Sequence, residues 1–356
     1  MAGGGVGIAI VGAGKIGRHR ARLAARHAGV EFLAVADVDP DAAQCLAGEV
    51  GADLWSADVV EVVDRPEVGA VIVSTPEGSH AEPVLAALRA GKRTLVEKPM
   101  ALRLEDADAM IEAARAAGAE LLVAYSMRYA QRYAVAREQV VGKHIGDLIG
   151  GLARCYDTIA VGEAILRRSP TATPTMDILT YLVDIIGWCH PVRPVEVVAR
   201  SHGSILRSRG HDVDDLAVAL LTYEDGAVFE LATSYSLPAG FPINGMAVRF
   251  ELLGTDGVLL VSEEHSDQIM YSAAGHDNEY VDQNLKLTFL GSRTSGEWAA
   301  GTMFGRVADE TRAWLDHVTR GGPCHITTAE EARTTLQVTL AIDEAARTAR
   351  TIRLES

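Results

Sequence analysis

The stretch GIAIVGAGKIG, residues 7–17, decides the fold of this 356-residue chain. An apolar run typical of a buried parallel strand leads directly into the turn GAGKIG at 12–17, and a helical pattern follows. In this strand, turn and helix context, G-x-G-x-x-G predicts a dinucleotide site. Gly12 permits the tight turn, Gly14 lets the backbone approach a pyrophosphate, and Gly17 lets the helix pack against the strand. The cofactor-binding residues predicted from this motif are Gly12, Gly14, Lys15, Ile16 and Gly17.

An acidic residue ends the second apolar run at the distance that this motif requires. Asp37 closes FLAVAD (32–37) and lies about 20 residues after Gly17. A carboxylate there binds ribose hydroxyls and repels a 2′-phosphate, and no arginine follows it, so NAD is expected in preference to NADP. The alternative is that Asp37 caps the next helix, but Asp39, directly before Pro40, is better placed as the cap.

The spacing of apolar residues predicts two domains. Short apolar runs alternate with amphipathic stretches in residues 7–125, as in a doubly wound parallel sheet. After residue 125, strands follow one another with few helices between them, which predicts a mainly antiparallel sheet. We therefore expect an α/β chain with an NAD-binding Rossmann domain at 1–126. Residues 127–356 are expected to form an α+β domain for substrate binding and oligomerisation, with a terminal helix able to pack back on the first domain.

The boundaries of the elements follow from the same patterns. Predicted strands of the first domain are 7–12, 32–37, 70–75, 93–98 and 121–125, with helices at 15–28, 40–50, 79–90 and 104–117. In the second domain we predict helices at 130–141, 176–188, 303–320 and 328–349, and strands at 148–157, 195–203, 214–223, 227–236, 247–254, 257–262 and 268–273. We predict loops near 156–175, with a polar Pro/Thr-rich stretch at 167–175, and near 274–302.

Composition excludes several classes of function. With 48% hydrophobic and 23% charged residues the chain is globular, and its net charge of −15 argues against nucleic-acid binding. The four cysteines form no CxxC pair, so neither a metal site nor a disulfide framework is expected. No stretch has the pattern of a membrane span or a secretory signal. We therefore expect a soluble, cytoplasmic protein.

Two further segments end predicted strands at the sheet edge where ligands of open α/β sheets bind. They are STPEGSH (74–80) and Glu97-Lys98-Pro99. Only five of the 33 basic residues are lysines, so a lysine at a strand end suggests a need for a group that can lose its proton. The alternative is a surface ion pair between Glu97 and Lys98.

The motifs GAGKIG (12–17), TPxxxH (75–80) and AGKRTLVEKP (90–99), together with Asp37, resemble the Gfo/Idh/MocA oxidoreductase family, named for glucose-fructose oxidoreductase and inositol dehydrogenase. The resemblance is concentrated in residues 7–130, although the two-domain layout matches along the chain. It implies a Rossmann domain, an open antiparallel sheet behind the active site, NAD(P), and a sugar or cyclitol substrate. It also implies pairing through the outer face of that sheet, and hence a homodimer or homotetramer.

The resemblance also implies roles for individual residues. Lys98 would be the active-site lysine beside the nicotinamide, and Arg128 matches an arginine that often follows the last Rossmann strand. The other residues expected near the cofactor are Ser74, Thr75, Pro76, His80 and Glu97. Read without the family, His80 is an ordinary histidine at the start of a helix.

The family also has an aspartate followed four residues later by a histidine on a helix that faces the nicotinamide. Here that spacing gives Asp177 and Tyr181, which share one helical face. Tyrosine in place of histidine is a departure, because a phenol has a pKa of about 10 and is a poor base unless a nearby cation such as Lys98 lowers it. The alternative interpretation makes Tyr181 an ordinary residue of an amphipathic helix.

Together these features predict an NAD-dependent dehydrogenase or reductase that transfers a hydride to or from a secondary alcohol or ketone of a sugar, sugar derivative or cyclitol. Lys98, Asp177 and Tyr181 are its expected catalytic residues. Two alternatives stay open. One is an enzyme that retains its NAD and uses transient oxidation for epimerisation, elimination or glycoside cleavage. The other is a non-enzymatic nucleotide-binding regulator, since a fold alone does not fix a function.

Overall fold

The chain divides into two compact units. A computed structural model describes residues 5–243, 245–263, 268–277, 284–290, 297–299 and 301–355. One unit comprises Met1–Tyr129 and Trp298–Arg333, and the other comprises Ala130–Glu297 and Thr334–Ser356. The predicted division after residue 126 lies close to Tyr129. The segment 298–333, however, which the sequence grouped with the second domain, belongs to the first unit.

The first unit is built on a doubly wound parallel sheet. Its elements before Tyr129 are β1 (Val6–Val11), α1 (Lys15–Ala24), β2 (Val30–Ala36), α2 (Pro40–Val50), β3 (Leu54–Ser56), α3 (Val59–Val63), β4 (Val68–Val73), α4 (Ala81–Arg89), β5 (Arg93–Glu97), α5 (Leu104–Ala117) and β6 (Leu121–Ala124). These strands lie in the order β6-β5-β4-β1-β2-β3 and all pair in parallel. The winding reverses direction between β1 and β4, which is where ligands bind at the carboxyl ends of such a sheet.

Local sequence accounts for these elements. Ile8, Ile10 and Ile72 are fully buried, as the near-continuous apolar runs of a sheet covered on both faces require. The helix α2 begins at Pro40 under the Asp39 cap, and α5 ends at Gly118, whose φ of 60° is the left-handed conformation that glycine adopts without strain. Each of these three features was predicted from the sequence.

The second unit carries an open, mainly antiparallel sheet. Its elements before residue 297 are α6 (Gln131–Val141), β7 (Leu148–Thr158), α7 (Ile159–Arg168), a π-helical turn (Thr175–Leu179) continued by α8 (Thr180–Cys189), β8 (Pro194–His202), α9 (Ile205–Ser208), β9 (Leu216–Tyr223), β10 (Val228–Leu237), β11 (Ala247–Gly254), β12 (Val258–Ser262), β13 (Gln268–Asp277) and β14 (Asn284–Leu290). The sheet order is β12-β11-β7-β10-β9-β8. Only β7 and β10 pair in parallel among these neighbours.

Two predicted loops contain regular structure. Half of the expected loop 156–175 is helix α7, which begins after Thr158, whose hydroxyl accepts a hydrogen bond from the Val161 N–H. The expected loop 274–302 contains the end of β13 and all of β14, which pair with each other as a separate two-stranded ribbon. The remainder of that expected loop includes residues outside the described part of the chain.

The last elements divide between the two units. They are β15 (Glu297–Ala299), β16 (Thr302–Phe304), α10 (Arg306–Arg320), β17 (Thr327–Thr328), α11 (Ala329–Thr348) and β18 (Ile352–Arg353). β17 pairs antiparallel with β6, and β18 pairs antiparallel with β8. Trp314 and Leu315 of α10 pack in the same core cluster as Ile8 and Ile10, which explains why this helix belongs to the first unit. Within the described ranges, no helix has both the length and the apolar character needed to cross a membrane.

Candidate active site

The turn after β1 has a geometry that only glycine allows at two positions. Gly12 has a φ of +103°, and a Cβ placed there would lie 2.6 Å from the Ser74 carbonyl oxygen. A Cβ on Gly17 would overlap the carbonyl oxygen of Gly12 itself. The chain therefore needs both glycines to bring α1 against the ends of β1 and β4.

Gly14 differs, because no protein atom requires it to be glycine. A Cβ at this position would have no neighbour within 4 Å, and its φ of −68° is open to any residue. Gly14 is the N-cap of α1 and carries no capping side chain, so the N–H groups of the first helical turn face the open space in front of it. Such a helix start binds phosphate through its amides and dipole. The Gly14 cradle therefore fits a dinucleotide pyrophosphate.

Asp37 lies at the end of β2 and contacts the glycine turn. Its Oδ2 accepts a hydrogen bond from the Ala13 N–H at 2.7 Å, and its Oδ1 accepts one from the Asp39 N–H at 3.0 Å. Because a carboxylate has about four lone-pair sites, both oxygens can still accept a ribose hydroxyl. The cap of α2 is Asp39, which accepts from the N–H groups of Asp41 and Ala42. Asp37 is therefore not the helix cap.

His80 links the two loops that carry the predicted nicotinamide-side residues. It is buried, with its Nε2 3.0 Å from the Thr75 carbonyl oxygen and its Nδ1 2.9 Å from the Pro99 carbonyl oxygen. Burial lowers the pKa of His80, although both carbonyls favour the charged form. A neutral imidazole has one N–H, so it donates to one of these carbonyls at a time. The structure thus shows that His80 connects the two loops through its ring nitrogens. Its proximity to the cofactor stays a prediction.

The hydroxyl of Ser74 is the second feature at this edge that fits a ligand. Its Oγ is buried and has no hydrogen-bond partner within the part of the chain that the structure describes. Ser74 follows β4 directly and lies against both Gly12 and Gly17. The structure therefore brings together three of the predicted cofactor residues.

Glu97 ends β5, and its carboxylate pairs with an arginine that the sequence did not predict as a partner. Arg20 Nε donates to Glu97 Oε1 at 2.6 Å. The following residue, Lys98, is partly accessible, and the Lys98–Pro99 peptide bond is cis. The surface ion pair considered between Glu97 and Lys98 is thus not needed to neutralise Glu97.

Arg128, the last predicted cofactor residue, is buried, and the structure shows it in contact with the start of α11. Its Nη1 donates to Glu331 Oε2 at 3.0 Å, and the same oxygen accepts from the Thr328 N–H at 2.9 Å. This contact therefore stabilises the start of α11. The role of Arg128 toward the cofactor stays a prediction.

Asp177 and Tyr181 lie together in the second unit. All residues from 174 to 186 are buried except these two, which are partly accessible. The spacing of four residues therefore gives them one shared accessible face, as predicted. Asp177 lies within the π-helical turn, a feature that is frequent at functional sites.

Three hydrogen bonds fix the entry to this helix. Thr173 Oγ1 donates to Asp343 Oδ2 at 2.7 Å and accepts from the Met176 N–H at 3.1 Å. The buried Thr233 hydroxyl donates to the Pro174 carbonyl oxygen at 3.2 Å. The start of the helix is therefore held by α11 and by the sheet, which restricts where Asp177 can lie.

Tyr235 is a site residue that sequence reasoning missed. Its hydroxyl donates to Asp177 Oδ2 at 2.7 Å, and its side chain is fully buried. Burial, and then the negative charge of Asp177, raise the pKa of Tyr235 well above its usual value. Tyr235 therefore stays protonated and keeps one oxygen of Asp177 occupied as an acceptor.

Asp157 is a buried acid near the partly accessible Asp177, and it gives a testable pH dependence. Burial, followed by the charge of Asp177, raises the pKa of Asp157 well above its usual value, and its Oδ1 accepts from the Thr158 N–H at 2.6 Å. An acid whose pKa is higher in the folded state loses its contribution to stability as pH rises from the unfolded pKa, about 3.8, through the folded one.

Asp157→Asn is therefore expected to raise Tm at neutral pH, because asparagine keeps the acceptor but cannot ionise. The expected rise is about 2–4 °C, the change that about 1 kcal/mol produces in domains of this size. Thermal unfolding measured across pH should show the gain shrinking toward pH 4. A gain that is constant with pH would contradict the assignment of Asp157 as the titrating group.

Comparison with known proteins shows the family to which the chain belongs. Residues 6–125 match the Gfo/Idh/MocA model described as an oxidoreductase family with an NAD-binding Rossmann fold, and residues 167–354 match its C-terminal alpha/beta domain. The chain belongs to the Gfo/Idh/MocA oxidoreductase family. Membership confirms the predicted family, the α/β fold with its two kinds of sheet, the oxidoreductase class and the NAD-binding character of the first domain.

Several relatives of this Gfo/Idh/MocA chain have named activities. A scyllo-inositol 2-dehydrogenase (NAD(+)) from Bacillus subtilis (strain 168) is 28% identical over 285 residues, covering 77% of this chain and 79% of that protein. A 1,5-anhydro-D-fructose reductase from Ensifer adhaerens is 30% identical over 256 residues, covering 70% and 74%. The crystal structure of scyllo-inositol dehydrogenase from Lactobacillus casei with bound NAD(H) and scyllo-inositol has the same fold, with a TM-score of 0.79 over 98% of this chain and 99% of that chain at 20% identity.

Proposed function

We propose that this protein is an NAD-dependent oxidoreductase that transfers a hydride between the nicotinamide and a secondary alcohol or ketone of a sugar, sugar derivative or cyclitol. The observation that carries the proposal is the Gly14 cradle, open to a ligand and in contact with Asp37 through the same turn. The names of the two relatives, an inositol dehydrogenase and an anhydrofructose reductase, support a polyhydroxylated ring as substrate.

The chain's own residues would bind the cofactor and handle the proton. Gly14 and the start of α1 would hold the pyrophosphate, and Asp37 the adenosine ribose. When bound, the nicotinamide supplies the hydride chemistry. During oxidation, either Tyr181 would take the hydroxyl proton while a charged Lys98 stabilises the negative charge that develops on the oxygen, or a neutral Lys98 would take the proton itself.

Asp177 would orient the substrate hydroxyl in this scheme. One of its oxygens accepts from Tyr235, and that hydrogen bond fixes the plane of the carboxylate. Because the pKa of Tyr235 is raised by burial and by the charge of Asp177, the phenol donates to Asp177 and does not compete for the substrate proton.

Gly14→Ala tests the nucleotide site directly. The new methyl group would meet no protein atom, and alanine is a poorer N-cap than glycine, so the free energy of unfolding should fall by no more than about 1 kcal/mol. It would occupy the space of the pyrophosphate, so we expect the Kd for NADH, measured by fluorescence titration, to rise at least about tenfold.

Gly48→Ala in α2 is the matched control, since a Cβ there also has no neighbour within 4 Å. It should leave the Kd for NADH unchanged. An unchanged Kd in Gly14→Ala would contradict the cradle. If the wild type binds NADH but interconverts no inositol or sugar with its ketone, as followed by NADH absorbance, the proposed reaction is wrong.

We also propose that the protein forms a homodimer or homotetramer through the outer face of the second unit's sheet. The resemblance to the family implies this interface. In support, paired positions place Leu260, Leu152 and Leu220 in one row across β12, β11, β7, β10 and β9, with exposures of 68%, 40% and 48%. Glu251 and Glu230 alternate with these leucines along the row, so the face is partly apolar and partly acidic.

Leu152→Glu is expected to convert the oligomer to monomers, because it replaces the central exposed leucine by a third carboxylate between Glu251 and Glu230. Light scattering coupled to size exclusion would measure the mass. Val60→Glu, a change at an exposed residue of α3 in the first unit, is the control and should leave the mass unaltered. A monomeric wild type, or an unaltered Leu152→Glu oligomer, would contradict this interface.

We propose further that the protein works in the reducing cytoplasm. None of the four cysteines forms a disulfide, and Cys155 and Cys189 are buried, as intracellular thiols commonly are. Fractionation of cells that express the protein with its natural ends would test this location.

A further inference from the structure

A buried arginine connects the glycine-turn helix to the strand end that carries Glu97 and Lys98. Arg20 of α1 is 1% exposed and donates through three different nitrogens. Its Nε binds Glu97 Oε1 at 2.6 Å, its Nη2 binds Glu310 Oε2 at 2.8 Å, and its Nη1 binds Thr311 Oγ1 at 2.9 Å. Three elements, α1, β5 and α10, therefore meet at one side chain.

The two carboxylates of this cluster differ in their exposure to solvent. Glu310 is fully buried, whereas the side chain of Glu97 is 17% exposed. Glu97 uses Oε1 for Arg20, and its Oε2 accepts no hydrogen bond from the described residues. Because β5 ends at Glu97, this oxygen lies at the sheet edge where a dinucleotide binds.

Stability alone does not explain this cluster. Burying ions is costly, and well-packed apolar side chains commonly replace a buried ion pair without loss of stability. What the cluster does provide is a fixed carboxylate. Burial opposes the charge on Arg20, but the carboxylates of Glu97 and Glu310 outweigh it and raise the pKa of Arg20, so the cation is permanent.

We propose that Arg20 is a positioning residue, which holds the Glu97 carboxylate so that its second oxygen binds a hydroxyl of the nicotinamide-side ribose. The inference rests on the proposed function. The adenosine side of the cofactor is assigned to other residues, Asp37 and the glycine turn. Loss of Arg20 should therefore weaken the binding of only those nucleotides that contain the second ribose.

The affinities for three nucleotides distinguish this role from a general disturbance of the binding site. ADP carries the adenosine ribose and two phosphates, ADP-ribose adds the second ribose, and NADH adds the nicotinamide. In Arg20→Met we expect the Kd values for ADP-ribose and NADH to rise about tenfold, the effect of losing one hydrogen bond to a charged group. The Kd for ADP should stay within about twofold. Calorimetric titration would measure all three.

Glu97→Gln should show the same discrimination, and Arg20→Met should add little in that background, because the two residues act as one unit. Arg22→Met is the control, since Arg22 lies on the same helix but pairs with the exposed Glu49, and it should change none of the three Kd values. If Arg20→Met does not fold, Arg20→Met/Glu310→Gln carries one buried charge fewer, and Glu97→Gln tests the ribose contact by itself.

Equal losses for ADP and ADP-ribose, or no loss for either, would overturn the role of Arg20. A wild type that binds neither NADH nor ADP-ribose would instead overturn the proposed function. Full additivity of Arg20→Met and Glu97→Gln would show that Arg20 does not act through Glu97.

Discussion

Replacing Lys98 with methionine is expected to lower kcat by about 10²- to 10⁴-fold, the range for a lost proton-transfer or charge-stabilising group. Methionine keeps the length and apolar stem of the side chain but removes the ammonium. The glycine turn and Asp37 are untouched, so the Kd for NADH should stay within about threefold of wild type. Stopped-flow turnover with the best cyclitol or sugar, beside an NADH titration, measures both.

Two further lysine variants are needed to interpret this result. Lys98→Arg keeps the positive charge but cannot lose its proton at accessible pH, so partial activity would assign charge stabilisation to Lys98 and leave the proton to Tyr181. Lys92→Met is the matched control. Lys92 lies just before β5 and donates to the carbonyl oxygens of Arg65 and Val68, far along the strand from Glu97. Normal turnover in Lys98→Met would rule out its catalytic role.

The features predicted correctly from the sequence are those with local causes. The glycine turn depends on backbone clashes within a few residues of Gly12 and Gly17, and the alternation of apolar runs follows from burial on both faces of a parallel sheet. The pair β3 and α3 was missed because, at three and five residues, these elements are too short to show a period. Helix α7 was missed because its sequence, IAVGEAILRR, lies between stretches that indicate a loop.

Long-range pairings account for the other misses. Strand order cannot be read from consecutive runs, so the parallel pairing of β7 with β10 became visible only in the structure. Trp314 gives no sign in the sequence that it packs in the core of the first unit. In the site, Tyr235 lies 58 residues from Asp177, and Arg20 lies 77 residues from Glu97. The sequence indicated neither residue, because nothing local distinguishes a tyrosine or arginine that will contact a distant carboxylate.

Removing the hydroxyl of Tyr181 tests the residue that is predicted to lie where the family has a histidine. Tyr181→Phe keeps the ring and its packing, so the fold should be unaffected, but the group proposed to exchange the substrate proton is lost. We expect kcat to fall at least about tenfold, the low end of a lost acid or base. The Kd for NADH should not change. The alkaline limb of the pH profile of kcat should also move, which a packing residue would not cause.

Tyr235→Phe is the matched control, because it removes the other phenol of this cluster, one that is fully buried and bound to Asp177. Burial and the Asp177 charge raise the pKa of Tyr235, so this hydroxyl stays protonated and its loss should affect the placement of Asp177. The expected result is a smaller fall in kcat with an unmoved pH profile. Tyr181→His, which introduces the histidine that the resemblance predicts for the family at this position, should recover activity with a profile shifted toward the titration range of imidazole. Full activity in Tyr181→Phe would mean that Lys98 handles the proton alone and that Tyr181 only packs.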